Sequence, residues 1–231
     1  MPGSIMTNQC SFPEVFLINL DRRTDRLQII SAACERAEIT FNRLSAAEFT
    51  PGWVGCGLSH QIIVTAAAQM KLPWVLILED DAEITEAGMS RFRSLLPTLW
   101  ETRFEWDRFS GAVFPPYLTQ NFGNGSCVLN FEAKLIGAFG ACTHFDLLNE
   151  SAYDLIMSWT PQDGPIDNFY VHHGRERSLR QICSVPFVAR QYDSYSDIWN
   201  MGMNYSSSFD QNEKWIDDLY QAELLKRSSQ I

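Results

Sequence analysis

The chain has 231 residues, of which 45% are hydrophobic and 13% aromatic. This length suits one large α/β domain, and this composition can bury a substantial core, which argues against a disordered protein. The formal net charge of −10 argues against a nucleic-acid partner, because phosphate binding needs clustered lysine and arginine. An acidic enzyme can still bind a nucleotide diphosphate when a divalent cation bridges the two negative partners.

The six cysteines form no CxxC pair, and most have small or apolar neighbours. We therefore expect buried free thiols and a reducing, cytoplasmic compartment. Residues 1–12 are expected to be an N-terminal extension, and the first ten lack the apolar core of a signal peptide. No window approaches the roughly 20 apolar residues of a membrane span, although an excised domain would have left any anchor behind.

The first 45 residues have the pattern of a βαβ unit. The apolar run 15–18 predicts a strand buried on both faces. Apolar residues at helical spacing over 27–37 predict a helix, whose start Thr24 or Asp25 can cap. A short strand over 41–44 completes the unit, which is the seed of a parallel sheet.

The next segment predicts a loop, a helix and a central strand. Gly52, Gly55 and Gly57 favour a loop, and a helix is expected over 58–71, where Pro73 stops it. The apolar run 74–78 follows as the clearest central strand, and it ends abruptly in three acidic residues.

The second half of the chain predicts shorter elements. We expect a helix over 86–96, strands over 109–114, 127–131, 135–142 and 185–190, a helix over 146–157, and a loop over 117–126. Together these elements predict one α/β domain over 13–205, with a mostly parallel central sheet flanked by helices. A helical tail over 206–231 is expected to pack on this domain or to lead to a partner.

The acidic triplet Glu79-Asp80-Asp81 is the strongest local signal for chemistry. Three adjacent carboxylates repel one another and resist burial, yet they follow a strand that should be buried. In open α/β sheets, ligands bind at the carboxyl ends of the strands. A divalent cation would remove the repulsion, and carboxylates suit hard ions such as Mg²⁺ or Mn²⁺. The alternative is an acidic turn that caps the next helix.

Three weaker motifs surround this signal. Arg22, Arg23 and Arg26 follow the first strand and can reach phosphates or a base, or else they belong to a solvated helix start. The stretch 55–60 opens a helix with two glycines and suits an anion, although a lone histidine there is more often a packed core residue. Asp167 follows a Gly-Pro turn and is either a pocket-lining carboxylate or a helix N-cap.

The order of these motifs resembles glycosyltransferase family 25, which includes bacterial lipopolysaccharide galactosyltransferases and collagen galactosyltransferases. The matching stretches are VFLINLDRRTDR, GWVGCGLSH and VLILEDD, followed more loosely by 105–107, 137–148, PIDNF and 194–198. The resemblance covers about residues 13–200. One departure is Ser-Ala-Ala-Glu at 45–48, where relatives often carry an Asp-Gly pair.

The resemblance implies a GT-A-type fold and an inverting transfer of a hexose from a UDP-sugar to a saccharide or glycoprotein acceptor. It implies a Mn²⁺ or Mg²⁺ site with Asp81 as the main ligand and Glu79 beside it. The nucleotide-sugar site that it implies consists of Asn19, Asp21, Arg22, Arg26, Ser59, His60, Glu79 and Asp80.

An inverting transfer also needs a base for the acceptor hydroxyl, and Asp167 is the candidate. His144, His172 and His173 are outside candidates for a further metal ligand.

Two other kinds of protein compete with this interpretation. One is a non-catalytic module that binds nucleotide sugars or carbohydrates on the same fold, which the intact Glu79, Asp81 and Asp167 argue against. The other is a hydrolase-like or phosphatase-like enzyme that uses the same acidic cluster. An α/β-hydrolase is disfavoured because no GxSxG element occurs.

Overall fold

The computed structural model describes residues 10–118, 122, 125–196, 198 and 201–229. Residues 1–9 of the expected N-terminal extension and five positions of the expected loop over 117–126 lie outside these ranges. The helices are α1 (Thr24–Arg36), α2 (Gly52–Gln69), α3 (Glu86–Glu101), α4 (Tyr153–Met157), α5 (Ile166–Arg175) and α6 (Ser206–Ser228). Short 3-10 helices span Glu150–Ala152 and Pro161–Asp163.

The strands, in chain order, are β1 (Glu14–Asn19), β2 (Asn42–Ser45), β3 (Trp74–Glu79), β4 (Ala82–Glu83), β5 (Arg108–Ser110), β6 (Phe114–Leu118), β7 (Val128–Asn130), β8 (Leu135–Ile136), β9 (Ala138–Ala141), β10 (Phe145–Asn149), β11 (Gln181–Ser184), β12 (Arg190–Gln191), β13 (Ser194–Ser196) and β14 (Met201–Met203). An eight-stranded sheet has the order β2-β1-β3-β10-β5-β11-β8-β7. Within it, only β10 and β8 run against the direction of the other strands. The predicted α/β class, with a mostly parallel sheet flanked by helices, is confirmed.

The central strands pack on both faces, as their uniformly apolar sequences predict. Leu76 and Leu78 of β3 face a cluster that includes α1 and α3. Val75 and Ile77 face a second cluster, formed with α2, α4 and α5. Burying a large aliphatic side chain stabilises a fold by about 1.5–3 kcal/mol, so these two layers hold β3 firmly at the centre. Its acidic end is thereby held at the edge of a rigid sheet.

The helix predicted over 146–157 is wrong, because this segment contains strand β10 and only the short helix α4. Leu147 and Leu148 face opposite core clusters, which is the alternation of a strand. Asp146 pairs with Arg108 of β5 at 2.7 Å, with both side chains fully buried. This ion pair between neighbouring strands requires residue 146 to lie within the sheet.

The loop predicted at Gly52, Gly55 and Gly57 is also wrong, since α2 begins at Gly52. A Cβ atom on Gly55 would lie 2.0 Å from the carbonyl oxygen of Ala47, and one on Gly57 would lie 2.3 Å from the Trp159 ring. These two glycines therefore serve close packing of a helix.

Two smaller sequence predictions also fail. Arg23, and not Thr24 or Asp25, occupies the N-cap position of α1, and it makes no side-chain cap bond. The strand predicted over 185–190 is absent, since β11 ends at Ser184 and β12 begins at Arg190. Within it, the Phe187 N–H donates to the carboxylate of Glu213 in α6 instead of to a neighbouring strand.

The C-terminal helix α6 packs against the far end of the sheet. Phe209, Ile216 and Tyr220 are its buried residues, and they join a cluster with β7, β8 and β11. Its first turn is held by Asp193, whose carboxylate accepts the N–H groups of Tyr205 and Ser206. Helix α6 thus covers apolar surface of the domain.

None of the helices in the described ranges combines the length and the apolar character that crossing a bilayer requires. The six cysteines are free thiols. The expectation of burial holds for Cys34, Cys127 and Cys183, whereas Cys10 is exposed.

The contact between Gly57 and Trp159 yields a stability prediction. The Trp159 ring is buried, and its Nε1 donates to the Gly164 carbonyl at 3.0 Å, so it has little freedom to move. We expect Gly57→Ala to lower the free energy of unfolding by roughly 1–2 kcal/mol, because overpacking outweighs the better helix propensity of alanine. Urea denaturation would measure the change. Gly202→Ala is the control, since no described residue lies within 4 Å of its added Cβ, and an unchanged midpoint for Gly57→Ala would contradict the prediction.

Candidate active site

Two adjoining cavities open at the carboxyl ends of β1, β2 and β3. The larger, of about 600 Å³, is lined by the segments that follow these strands and by Ser196 and Ile198. The smaller, of about 200 Å³, lies towards α5 and β10. Cys56, Glu79, Asp81, Ser196 and Ile198 line both cavities. Two of the three predicted carboxylates of the acidic triplet therefore stand where the cavities meet.

Glu79 is held by donors on one of its oxygens. Its Oε1 accepts a hydrogen bond from Thr143 Oγ1 at 2.6 Å, lies 2.9 Å from His60 Nε2 and lies 3.7 Å from Cys56 Sγ. Burial would raise the pKa of Glu79, but the hydrogen bonds from His60 and Thr143 outweigh it and lower the pKa. Glu79 is therefore ionised at neutral pH, and the hydrogen-bond network assigns a proton to His60 Nε2.

Asp80 is committed to contacts within the protein. Its carboxylate accepts hydrogen bonds from Asn19 Nδ2 at 2.7 Å and from Arg26 at 2.8 Å, and only 6% of the residue is exposed. Tyr192 also donates its hydroxyl to the Asp80 carbonyl at 3.1 Å. Asp80 thus ties the end of β3 to β1 and α1.

Asp81 is the carboxylate that the protein leaves least satisfied. Its Oδ1 is buried without a hydrogen-bond partner among the described residues, and its Oδ2 lies 3.4 Å from Arg26. Burial, and then the negative charge of Glu79, raise the pKa of Asp81. A bound cation would reverse this effect, because it would favour the ionised carboxylate. The carboxylates of Asp81 and Glu79 therefore fit the divalent ion that the sequence predicts.

A second group of potential ligand atoms lies in the same place. In the described ranges, Cys56, His60 and Glu79 form a trio whose ligand atoms all lie within 4.8 Å of one another. His60 Nε2, however, is already bonded to Glu79, and burial followed by the Glu79 charge raises the pKa of the Cys56 thiol. We interpret this trio as hydrogen-bonded support for Glu79, and the oxygens of Asp81 and Glu79 are the better match for a hard divalent ion.

Asn19 at the end of β1 and Arg26 of α1 shape the larger cavity mainly through hydrogen bonds within the protein. Asn19 is 1% exposed, and its amide bonds to Asp80 and to the Arg23 carbonyl. Arg26 bridges Asp80 to β13, where it donates to Ser194 Oγ at 3.0 Å and to the Tyr195 carbonyl at 2.6 Å. Both side chains line the cavity, but their polar groups are largely used inside the protein.

Two other predicted nucleotide residues pair with neighbours near the surface. Asp21 forms an ion pair with Arg43 at 2.5 Å and does not line the cavity. Arg22 lines the cavity with a half-exposed side chain, and it contacts Glu48 at 3.1 Å.

Ser59 and His60 contact residues of the site without lining either cavity. The buried Ser59 hydroxyl accepts the Ala47 N–H at 2.9 Å and donates to the Gly55 carbonyl at 2.7 Å, which fastens the segment after β2 onto α2. His60 is fully buried and contacts Glu79. Neither residue lines a cavity, so both are supporting residues.

Asp167 lies in the wall of the smaller cavity as the second residue of α5. The helix N-cap alternative is wrong, because Pro165 occupies that position. Burial raises the pKa of Asp167, and the negative charge of Glu79 adds to this rise, while a hydrogen bond from the Asn168 N–H opposes it. Asp167 is therefore a stronger base than an ordinary carboxylate.

The three outside histidine candidates do not join the acidic cluster. His144 is buried, its Nε2 lies 3.3 Å from the Ala189 carbonyl, and burial lowers its pKa to about 4. His172 and His173 belong to α5, where they contact Glu176 and Ser178. The metal-ligand trio found in the described part of the chain includes none of the three.

Sequence reasoning missed Thr143 and Gln191, which also line the smaller cavity. Thr143 reaches Glu79 only because β10 pairs with β3, and no local pattern indicated that pairing. Cys56, in contrast, lies four residues before His60 on α2, and this helical spacing could have placed both beside one target. Asp197, within the looser resemblance over 194–198, lies outside the described residues.

Residues 44–107 match the family model "Glycosyltransferase family 25 (LPS biosynthesis protein)". This stretch contains the GWVGCGLSH and VLILEDD motifs. No curated protein sequence matches the chain significantly. Among solved structures, the chain is similar to a glycosyltransferase involved in the glycosylation of the major capsid of PBCV-1, with 11% identity over 89% of this chain and 100% of that chain, at a TM-score of 0.44. The family model thus confirms, over residues 44–107, the similarity to glycosyltransferase family 25 that the motifs predicted.

Proposed function

We propose that this protein is a metal-dependent glycosyltransferase that transfers a hexose from a UDP-sugar to a saccharide or glycoprotein acceptor with inversion. The observation that carries the proposal is the pair of cavities that meet at Glu79 and Asp81. A transfer between two substrates needs two neighbouring binding places and a junction where the bond is exchanged. The family match over residues 44–107 supports the glycosyl-transfer class.

The larger cavity suits the donor. Its volume of about 600 Å³ lies within the usual range for a small-molecule site. Gly52, the first residue of α2, lines the cavity, and a helix N-terminus favours an anionic group such as a diphosphate. Arg22 lines the same cavity and adds positive charge.

The acidic cluster suits Mn²⁺ or Mg²⁺, with Asp81 and Glu79 as the residues that would hold the ion. Among the described residues, Asp81 Oδ1 is buried without a hydrogen-bond partner, and the carboxylates of the triplet outnumber the one guanidinium, that of Arg26, which contacts them. When bound, such an ion supplies Lewis-acid stabilisation of the leaving diphosphate. His60 and Thr143 keep Glu79 ionised and oriented for this role.

The smaller cavity suits the acceptor, with Asp167 as the general base. In an inverting displacement, the acceptor oxygen forms a bond to the anomeric carbon while the bond from that carbon to the diphosphate breaks on the opposite face. The Asp167 carboxylate takes the proton of the acceptor hydroxyl, and the diphosphate leaves with the bonding electron pair. The raised pKa of Asp167 favours this proton transfer.

Asp81→Asn tests the cation site. We expect the variant to lose at least about 100-fold in turnover and in Mn²⁺-dependent UDP binding, because removing even a supporting group of a metal site costs 10–100-fold. Its melting temperature should stay near that of the wild type, because Asp81 Oδ1 has no hydrogen-bond partner among the described residues and Oδ2 lies 3.4 Å from Arg26. Calorimetric titration of UDP with and without Mn²⁺, together with a turnover assay, would measure these effects.

Asp80→Asn is the matched comparison for Asp81→Asn. The Asp80 carboxylate is bonded to Asn19 and Arg26, so this substitution should lower the melting temperature. Its effect on cation affinity should be smaller than that of Asp81→Asn. Full activity of Asp81→Asn in excess EDTA would refute the metal-dependent mechanism. UDP-sugar binding by the wild type without any transfer or hydrolysis would favour the non-catalytic binding module instead.

Asp167→Asn tests the general base. We expect kcat to fall by about 10²–10⁴-fold while UDP affinity and melting temperature stay near wild type, because a base acts only in the chemical step. The wild-type rate should rise with pH through a midpoint above the ordinary carboxyl range, since the pKa of Asp167 is raised and the base must be ionised. An unchanged kcat, or a product with retained anomeric configuration measured by NMR, would exclude this role.

A further inference from the structure

The segment between β2 and α2 presents an aromatic ring to the larger cavity. Phe49 is 56% exposed and lines that cavity. Among the described residues of the lining, it is the one aromatic side chain. Single exposed apolar residues are common on protein surfaces, so exposure alone means little. The position of this ring in the wall of the proposed donor cavity gives it significance.

The ring stands on a fixed support. Two residues before it, the Ala47 N–H donates to the buried Ser59 hydroxyl at 2.9 Å, and Ser59 in turn donates to the Gly55 carbonyl. Gly55 has no Cβ, and this allows the Ala47 carbonyl to approach α2 closely. The segment that carries Phe49 is therefore anchored before any ligand arrives, and a ligand that used the ring would spend little free energy on ordering it.

The sheet topology sets the distance between the end of β2, which precedes Phe49, and the acidic triplet at the end of β3. Strand β1 lies between β2 and β3 and pairs in parallel with both. Neighbouring strands are about 4.8 Å apart, so the ends of β2 and β3 are separated by roughly 10 Å along the sheet edge. The triplet closes β3, and Phe49 follows β2. This is the scale on which the base and the diphosphate are separated in an extended nucleoside diphosphate.

We propose that the nucleobase of the donor stacks on the ring of Phe49, while the diphosphate lies towards Asp81. This inference rests on the nucleotide-sugar donor proposed above. The base offers a flat π face to the ring, and the charged end of the nucleotide reaches the part of the cavity that Asp81 lines. Phe49 is then a binding residue for the base and takes no part in the chemical step.

The test compares two ligands in the presence of Mn²⁺, namely UDP, which has a base, and inorganic pyrophosphate, which has none. Their dissociation constants are measured by calorimetry for the wild type, Phe49→Ala and Phe49→Tyr. We expect Phe49→Ala to weaken UDP binding by about 5- to 150-fold, which is the usual contribution of stacking one base on an aromatic ring. Pyrophosphate binding should not change, and Phe49→Tyr should bind UDP about as tightly as the wild type.

Phe104→Ala is the matched control for removing an exposed phenylalanine. Phe104 is 72% exposed and precedes β5, so it lies at the opposite end of the sheet from the cavities. This variant should bind both ligands like the wild type.

Three outcomes would overturn the inference. Equal weakening of UDP and pyrophosphate by Phe49→Ala would show that the ring supports the loop instead of the base. Unchanged UDP binding would show that the ring contacts no part of the nucleotide. If the wild type itself does not bind UDP with Mn²⁺, the proposed donor fails and this inference fails with it. The wild-type measurement therefore tests the donor, and the variant measurements test the stacking.

Discussion

The repulsion among three adjacent carboxylates at the end of β3 is the constraint on which the site depends. The three carboxylates differ in the hydrogen bonds that offset this repulsion. Glu79 receives hydrogen bonds from His60 and Thr143, and Asp80 receives them from Asn19 and Arg26. One buried oxygen of Asp81 has no partner among the described residues. Of the three carboxylates, Asp81 is left with the fewest hydrogen bonds from the described part of the chain, while the donors to Glu79 reach only its Oε1. A buried carboxylate oxygen without a partner costs free energy, so its position at the junction of two cavities points to a ligand more than to a simple acidic turn.

Helix α2 carries residues that contact both the segment after β2 and the end of β3. Gly55 allows the segment after β2 to approach the helix, Ser59 bonds to that segment, and His60 reaches Glu79 at the end of β3. Residues 55–60 of α2 thus position two separate walls of the larger cavity, although Ser59 and His60 do not line it. Gly55, Ser59 and His60 of the GWVGCGLSH motif are therefore explained by packing and hydrogen bonding that support the site.

Local patterns predicted β1, α1, β2 and β3, whereas they missed β10, which depends on long-range pairing. The βαβ unit and the acidic end of β3 depend on runs of neighbouring residues, which periodicity detects. Strand β10 carries Asp146, whose partner Arg108 is 38 positions away, and Thr143, just before that strand, reaches Glu79 where β10 pairs with β3. The apolar pair at 147–148 suits a helix as well as a strand, so the wrong prediction followed from a real ambiguity.

The arginines after β1 show why charge content alone does not define a phosphate site. Arg26 was predicted to contact the nucleotide, but its guanidinium bonds to Asp80 and to β13, with only 8% of the side chain exposed. Its positive charge therefore mainly offsets the negative charge of Asp80 and Asp81. The triplet has three carboxylates, so one guanidinium cannot neutralise it when all are ionised. A diphosphate that entered this cavity without a metal ion would meet net repulsion at Asp81 and Glu79. Binding of a cation and binding of an anionic donor are thus expected to assist each other, since each supplies the charge that the other requires.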